Sequence, residues 1–258
     1  MSTLQDRVVL VTGGSAGIGR AAVHLLAADG ARVVACARDG VRLSEAIVGV
    51  DGATAVTADV SSASDRVTLV ERVVDEHGRL DAVILNAALG YAALVEETPQ
   101  DAVEAMIATN LTGVVDLARL ALPHLLRAAA ERGRADILVT ASTVALVQVP
   151  PLTIYSATKA GVHGFVKGLR REVTARGVRV HSVTPARCPP SGWSAGEAPP
   201  RHRTRTPKAG SPQACGRSGW PSRWRAVSRR TGPGRWRCRA GWAWRGSARC
   251  HRSTGSST

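Results

Sequence analysis

The aliphatic residues of this 258-residue chain stop almost completely at Pro185. Residues 1–185 are rich in Val, Leu and Ile, whereas residues 186–258 contain no Ile, Leu, Met, Phe or Tyr and a single valine, Val227. A segment with so few aliphatic side chains cannot bury enough apolar surface to offset the entropy that ordering costs. We therefore expect one folded domain over residues 1–185, long enough for a sizeable core, and a disordered tail over 186–258.

The charge divides at the same boundary. Residues 186–258 hold fifteen arginines and one lysine against one acid, Glu197, so they carry +15. Because the whole chain carries +14, residues 1–185 carry −1. The positive net charge of the chain therefore says nothing about what the domain at 1–185 binds. All six tryptophans and four of the five cysteines also follow the boundary.

Two interpretations of residues 186–258 remain open. A GC-rich gene that is read out of frame gives mostly Arg, Gly, Pro, Ala, Ser and Trp, which indicates a frameshift near codon 186. Alternatively, the segment is a basic arm whose arginines contact phosphates and whose tryptophans stack on bases. The segment lacks the order of any known nucleic-acid-binding module, so the frameshift is favoured and nucleic acid is not the expected partner.

Several other classes of protein are disfavoured. The N-terminus lacks the order of a secretion signal, and no uninterrupted apolar run approaches the roughly 20 residues of a membrane helix. Cys36 is the only cysteine before residue 186, so no disulfide framework is predicted there. The later Cys and His residues lack paired metal-ligand spacing, so we expect no metal. A cytoplasmic protein without a membrane partner is the prediction.

Strand and helix patterns alternate through residues 1–185. Short apolar runs predict strands at 7–13, 31–38, 53–60, 80–88, 135–142 and 178–185. Helical spacing predicts helices at 17–30, 43–50, 65–78, 99–132 and 155–177, with a kink at Pro123. Apolar strands that alternate with helices are typical of an α/β fold, a doubly wound parallel sheet whose ligands bind at the carboxyl ends of the strands.

The stretch TGGSAGIGR, residues 12–20, follows the first predicted strand and opens the first predicted helix. Gly13, Gly17 and Gly19 would let the backbone approach a pyrophosphate, and the helix N-terminus would supply unpaired N–H groups. An ordinary Gly-rich turn is the alternative. The context of strand, turn and helix favours a bound dinucleotide.

The end of the second strand predicts which dinucleotide binds. An acid at this point usually bonds the ribose hydroxyls of NAD(H), but Ala37 stands there and Arg38 follows. An arginine can pair with the 2′-phosphate of NADP(H) through two parallel bonds, so we expect NADP(H). Asp39, one residue later than that acid, is the feature that favours NAD(H).

Four further residues indicate proton chemistry. Tyr155 and Lys159 lie four residues apart, so they share one helix face, where an ammonium favours the phenolate of a neighbouring tyrosine. Ser142 ends the fifth strand, where its hydroxyl faces the expected crevice or caps a turn. Asn110 is a poor residue for a helix interior, which indicates either a bound water or a local kink.

Residues 1–185 resemble the short-chain dehydrogenase/reductase family. The resemblance lies in TGGSAGIG, Asp59 after the third strand, NAA at 86–88, Asn110, Ser142, and Tyr155 with Lys159. It implies that an alcohol and a ketone or aldehyde are interconverted. Tyr155 would move the proton, Lys159 would bind the nicotinamide ribose, Ser142 would polarise the carbonyl, and Asn110 would hold a water. The residues that it assigns to the cofactor, together with those above, are Gly13, Ser15, Gly17, Ile18, Gly19, Arg38, Asp59, Val60, Asn86 and Lys159.

The sequence also departs from the family pattern. Leu85 and Ala88 replace the Asn and Gly of NNAG, which are mild changes. After Pro185 the family continues with a segment that grips the nicotinamide, a substrate lid, a large helix and a seventh strand, and none of these is recognisable here. Reduced activity, or an inactive nucleotide-binding remnant, is therefore expected. The family's four-helix contact, through helices 99–132 and 155–177, predicts a homodimer.

Overall fold

Residues 4–185 are described in the computed structural model of the protein. The sheet has six parallel strands in the order β3-β2-β1-β4-β5-β6, which confirms the doubly wound α/β fold. The strands are β1 Val8–Thr12, β2 Arg32–Ala37, β3 Ala53–Thr57, β4 Ala82–Leu85, β5 Ala135–Thr140 and β6 Val178–Val183. The direction of winding reverses at β1, between β2 and β4, so the ligand crevice of such a sheet lies beside it.

Helices cover both faces of this sheet. The α-helices are α1 Gly17–Ala28, α2 Gly40–Ile47, α3 Ala63–His77, α4 Gln100–Ile107, α5 Gly113–Arg132 and α6 Thr153–Val173. Buried residues of α3, α5 and α6 pack in one core on one face, and those of α1 and α2 pack in a second core on the other. β1 is buried along its whole length, which explains its uninterrupted apolar run VVLVT.

The strands end earlier than their apolar runs predict. β3 stops at Thr57, β4 at Leu85 and β5 at Thr140, each two or three residues before the expected boundary. The residues that follow therefore lie in loops at the carboxyl edge of the sheet. The candidate positions 59, 60, 86 and 142 all belong to these loops.

Helix α2 begins three residues before the predicted start, at Gly40. The Asp39 carboxylate accepts a hydrogen bond from the Arg42 N–H at 3.0 Å, which caps the helix and fixes this start. A Cβ at Gly40 would overlap the Thr57 hydroxyl, so glycine lets the first turn pack against the end of β3. The correction moves Arg42 from a loop into the first helical turn.

The segment Gln100–Arg132 bears on the expectation that no apolar run is long enough to cross a membrane. Within the described residues it is the one helix that is long and apolar enough to cross a membrane. Its many Ala, Leu and Val residues raise its mean hydropathy, although polar residues interrupt every apolar run. Buried residues of this helix, Leu117, Ala121 and Leu125 among them, belong to the core beneath the sheet. A core helix passes the same test, so this is weak evidence for a membrane span.

The same segment is not α-helical throughout. A π-helical turn, Ala108–Thr112, joins α4 to α5, and the helix continues through Pro123 without a break. π turns inside α-helices recur at functional sites. The predictions of a disordered tail and an out-of-frame segment concern residues 186–258, which lie outside the described residues.

Candidate active site

A cleft of about 1010 Å³ lies at the carboxyl edge of the sheet, beside β1. It brings together nearly all the candidate residues, although they are spread over almost 150 positions of the chain. Those that line the cleft are Gly13, Ser15, Gly17, Ile18, Arg38, Asp59, Val60, Asn86, Ser142, Tyr155 and Lys159. Gly19 and Asn110 lie behind its wall.

The glycine turn is shaped as a phosphate cradle requires. Gly13 and Gly17 have φ angles of +70° and +54°, in the left-handed region that favours glycine. A Cβ at Gly19 would overlap the Gly13 carbonyl oxygen, so only glycine lets the helix start so close to the turn. The N-cap residue, Ala16, makes no side-chain capping bond. The first N–H groups of α1 are therefore left for an anion, as at other helix N-termini that bind phosphate.

The end of the cleft next to β2 is charged. Arg38 is exposed at its wall, and Ala37 before it is nearly buried. Arg42 also lines this end, a residue that the sequence pattern did not indicate. The Asp39 Oδ1 caps α2, and this cap fixes the helical turn that carries Arg42.

The loop after β3 closes the same end. The Asp59 carboxylate accepts hydrogen bonds from the N–H and the hydroxyl of Ser61, at 2.8 Å and 2.7 Å. The Asp59 N–H donates to the Asp65 carboxylate at 2.9 Å, and this bond is the main reason that the pKa of Asp65 lies below its ordinary value. The loop that carries Asp59 and Val60 is thus held from both sides.

Asn86 connects the glycine turn to β5. Its amide nitrogen donates to the carbonyl oxygens of Thr12 and Gly13, and its amide oxygen accepts from the Thr140 hydroxyl at 3.0 Å. The Thr12 hydroxyl in turn accepts from the N–H groups of Asn86 and Ala87. These bonds fix the floor of the cleft, and the two threonines had no signal of their own in the sequence beyond lying at strand ends.

Lys159 is almost completely buried, with 2% of its side chain exposed. Its ammonium donates to the Thr140 carbonyl oxygen at 3.0 Å and lies 5.8 Å from the centre of the Tyr155 ring. Burial lowers the pKa of Lys159 to about 8. The ammonium is therefore still the main form at neutral pH, and an ammonium favours the phenolate of a nearby tyrosine.

Ser142 lies in the same cleft as Tyr155. It is the N-cap of a short turn, Thr143–Ala145, and its oxygen accepts from the Val144 N–H at 3.4 Å. Because the oxygen is the acceptor in this bond, the hydroxyl proton remains available for another acceptor. The two roles considered for this serine, a turn cap and a cleft hydroxyl, are therefore compatible.

Asn110 is fully buried in the π turn. Its amide oxygen accepts from the Leu89 N–H at 2.7 Å, and its amide nitrogen donates to the Leu89 carbonyl at 2.8 Å and to the Thr158 hydroxyl at 3.1 Å. The Thr158 hydroxyl donates to the Tyr155 carbonyl oxygen at 2.7 Å. The side chain therefore joins the loop after β4 to the helix that carries Tyr155, and the water at Asn110 stays a prediction.

The two departures near β4 have different surroundings. Leu85 is buried in the core on the α5 side, where an apolar side chain is expected. Ala88 lines the cleft. Among residues 4–185, no group of three His, Cys, Asp or Glu side chains is placed to hold a metal ion.

Comparisons with known proteins agree with this geometry. A sequence model described as short chain dehydrogenase matches residues 7–193. An uncharacterized oxidoreductase of Staphylococcus saprophyticus is 34% identical over 190 residues, which cover 72% of this chain and 80% of the relative. Other relatives are longer, so the chain spans only 55% of a 3-dehydrosphinganine reductase of Arabidopsis thaliana.

Two solved structures have the same fold. A 3-ketoacyl-(acyl-carrier-protein) reductase from Brucella melitensis, complexed with NADH, is 30% identical with a TM-score of 0.69, over 71% of this chain and 76% of that one. The RhlG/NADP complex of Pseudomonas aeruginosa is 28% identical with a TM-score of 0.69, over 73% of this chain and 77% of that one. One neighbour holds NADH and the other NADP, so the likeness does not choose between these cofactors.

Proposed function

Because this chain belongs to the short-chain dehydrogenase family of oxidoreductases, we propose that it interconverts an alcohol and a ketone or aldehyde with NADP(H) as cofactor. One observation carries the proposal. The buried ammonium of Lys159 lies 5.8 Å from the Tyr155 ring in the same cleft as the glycine turn. A proton donor and a dinucleotide cradle in one cleft are what hydride transfer to a carbonyl requires.

The cleft fits a nicotinamide dinucleotide. Gly13, Gly17 and the first turn of α1 would hold the pyrophosphate, and Gly19 lets that turn start close to Gly13, where a Cβ would overlap the Gly13 carbonyl oxygen. Asp59 and Val60 would flank the adenine, and Asn86 would lie by the cofactor, as the family resemblance predicts. Lys159 would also bind the nicotinamide ribose.

The choice of NADP(H) rests on Arg38 and Arg42. Both line the same end of the cleft, and a 2′-phosphate there would meet two guanidinium groups. Asp39 also lines the cleft and could favour NAD(H), but its Oδ1 accepts the hydrogen bond that caps α2. We therefore propose that the protein prefers NADP(H) to NAD(H).

The residues of this chain would act on the substrate oxygen. The reduced cofactor, when bound, supplies the hydride that the carbonyl carbon accepts. Tyr155 donates its phenol proton to the carbonyl oxygen, and solvent restores that proton afterwards. Ser142 donates a hydrogen bond to the same oxygen, which polarises the carbonyl. Lys159 favours the phenolate that remains on Tyr155, and the reverse sequence oxidises the alcohol.

The experiment that tests this function is turnover of a panel of aldehydes and ketones with NADPH and with NADH. The proposal predicts carbonyl-dependent oxidation of NADPH that Tyr155→Phe abolishes while NADPH binding remains. Binding of NADPH without turnover of any carbonyl would support the alternative, an inactive nucleotide-binding remnant.

We also propose that residues 186–258 come from a shifted reading frame and that they impair the activity. The change of composition at Pro185 and the end of the family match at residue 193 support this. A gene with the frame restored near codon 186 should give higher activity and solubility. If deletion of 186–258 destroys an activity that the whole chain clearly has, the segment is a working part. Retention of the chain on DNA that falls with salt would instead support the basic arm.

Finally, we propose a cytoplasmic homodimer, formed through the helices at 100–132 and α6 as the family resemblance implies. Both helices precede residue 186, so the proposed frameshift does not alter them. Light scattering at micromolar concentration should give twice the mass of the chain, and a monomer would contradict the proposal.

A further inference from the structure

We propose that the site takes a neutral carbonyl compound with an apolar substituent, and that it discriminates against carboxylated, phosphorylated or polyhydroxylated carbonyls. This inference rests on the proposed function and names its substrate class. It is carried by the two loops that surround Tyr155 and Ser142, and by the chemistry that these loops offer.

The parts of two loops next to Tyr155 and Ser142 lack charged residues. They are residues 86–95 after β4 and residues 141–152 after β5. The first loop continues to Glu96 and Glu97, which are exposed and lie outside the lining of the cleft. Together the two uncharged parts contribute Ala88, Gly90, Val144 and Leu152 to the lining of the cleft near Tyr155. The next ionisable group along the second loop and α6, apart from Tyr155, is Lys159, whose ammonium is buried against the Thr140 carbonyl.

The outer parts of the same loops form an exposed apolar surface. We call it the apolar rim, and it consists of Leu94, Val95, Leu146, Val147 and Val149. Leu146 and Val147 are 57% and 66% exposed. Clustered exposed apolar residues of this kind usually mark a place where an apolar partner is bound.

A backbone hydrogen bond holds the two halves of the apolar rim together. The Ala93 N–H donates to the Pro151 carbonyl at 3.1 Å, so the loop after β4 is attached to the loop after β5. Leu152, next to that bond, lines the cleft, so the apolar rim is continuous with the reaction site. We assign the rim to the apolar substituent of the substrate, because this continuity would carry such a group outward from Tyr155.

Polar partners for a hydrophilic substrate are few. The Gln148 amide nitrogen donates to the Ala145 carbonyl at 3.1 Å, and the Thr143 hydroxyl donates to the Pro185 carbonyl. A carboxylate placed among the apolar lining would lose its water without gaining a cation, and sugar hydroxyls would lose theirs without enough partners. The described residues thus favour apolar neighbours for the reacting carbonyl.

A matched pair of ketones tests this inference. Acetophenone and para-acetylbenzoate differ only by a carboxylate on the far side of the ring, and dihydroxyacetone serves as the hydrophilic ketone. With NADPH we expect kcat/KM for acetophenone to exceed that for the other two by roughly tenfold or more. Equal or faster turnover of para-acetylbenzoate or dihydroxyacetone would overturn the inference.

A charge-placement variant sharpens the test. Leu152→Lys would put an ammonium on the lining of the cleft. The ratio of kcat/KM for para-acetylbenzoate to kcat/KM for acetophenone should therefore rise by roughly tenfold. Val48→Lys is the matched control, because Val48 is exposed immediately after α2 and lies outside the lining of the cleft. An equal change of preference in both variants would contradict the assignment of the lining.

A binding measurement covers a chain that turns over too slowly to assay. Saturation-transfer NMR with NADP⁺ present should show acetophenone bound and para-acetylbenzoate not bound. Binding of NADP⁺ with no preference for acetophenone would overturn the inference while leaving the cofactor assignment intact. Absence of NADP⁺ binding would instead contradict the proposed function itself.

Discussion

The two ends of the cleft are built from different chemistry. The end next to β2 and β3 carries Arg38, Arg42 and Asp59. Hydrogen bonds hold the first turn of α2, which carries Arg42, and the loop that carries Asp59. The end next to β5 and α6 carries Tyr155 and Ser142 among apolar residues. One end can recognise a charged ligand through charge and backbone N–H groups, whereas the other offers proton transfer and apolar contact.

This contrast between the two ends indicates where specificity can be changed. Substitutions at the charged end should alter which cofactor binds and leave the chemistry intact. Substitutions at Tyr155, Ser142 and the apolar lining should alter turnover and substrate choice and leave cofactor affinity nearly unchanged, whereas Lys159 would also contact the cofactor. Each prediction below tests that separation.

The largest effect is expected from Tyr155→Phe at the apolar end. The change removes the proton donor but keeps the ring, so kcat should fall by about 10²- to 10⁴-fold. NADPH affinity, measured by fluorescence titration, should stay close to that of the unaltered protein. Comparable turnover in the variant would remove Tyr155 from the catalytic assignment.

A smaller effect is expected from Arg38→Asp at the charged end. The new carboxylate would repel a 2′-phosphate and could accept bonds from ribose hydroxyls, so NADPH should bind about 10- to 100-fold more weakly and NADH no more weakly. The matched control is Arg72→Asp on α3, which exchanges another exposed arginine outside the lining of the cleft. Equal affinity of the unaltered protein for NADPH and NADH would contradict the role of Arg38.

Arg42→Ala should weaken NADPH binding by less than Arg38→Asp does, roughly 3- to 10-fold, because it removes a cation without adding an anion. The Asp39 cap uses the backbone N–H of residue 42, so it persists in the variant and helix α2 should be kept. Circular dichroism checks the helix, and titration checks the affinity. An unchanged ratio of NADPH to NADH affinity would leave Arg38 as the sole reader of the phosphate.

The smallest effect concerns pH and Lys159. Because burial lowers its pKa to about 8 from an ordinary 10.5, its ammonium is lost as pH rises through about 8. Carbonyl reduction should therefore decline above that pH, as Tyr155 loses the neighbouring charge. Between about pH 8 and 10.5 the unfolded chain binds this proton and the folded chain does not, so Lys159 makes stability rise with pH.

Lys159→Met separates the two consequences of that titration. The variant should be inactive. In chemical denaturation its free energy of unfolding should lack the rise between about pH 8 and 10.5 that Lys159 gives the parent. NADPH affinity and unfolding free energy of the parent and variant, measured at matched pH values, provide the comparison. A pH dependence of stability that is the same in both would show that residue 159 does not titrate there.

Much of the fold followed from periodicity and punctuation in the sequence. Apolar runs located all six strands, and Gly78 ends α3 with a φ of +72°, where a helix stop was expected. The boundaries that were wrong have local causes. The apolar run at the end of a strand continues into the loop, and the Asp39 cap starts α2 three residues early.

The candidate site was predictable where residues belong to a local motif. The turn at 12–20 and the pair Tyr155 and Lys159 needed only their spacing. The π turn and the bonds of Asn110 to Leu89 and Thr158 join residues that are far apart in the chain, so no local pattern contains them. Arg42 was missed because its place in the cleft depends on the corrected start of α2.

Transfer of deuterium tests the separation most directly. The protein is incubated with acetophenone and NADPH that carries deuterium at the transferable position, and the alcohol is examined by mass spectrometry, which detects even a few turnovers. We expect deuterium on the carbinol carbon with the unaltered protein and with Arg38→Asp at saturating cofactor, and about 100-fold less or lower with Tyr155→Phe over the same time. Labelled alcohol in equal amount from Tyr155→Phe, or none from the unaltered protein with cofactor bound, would contradict it.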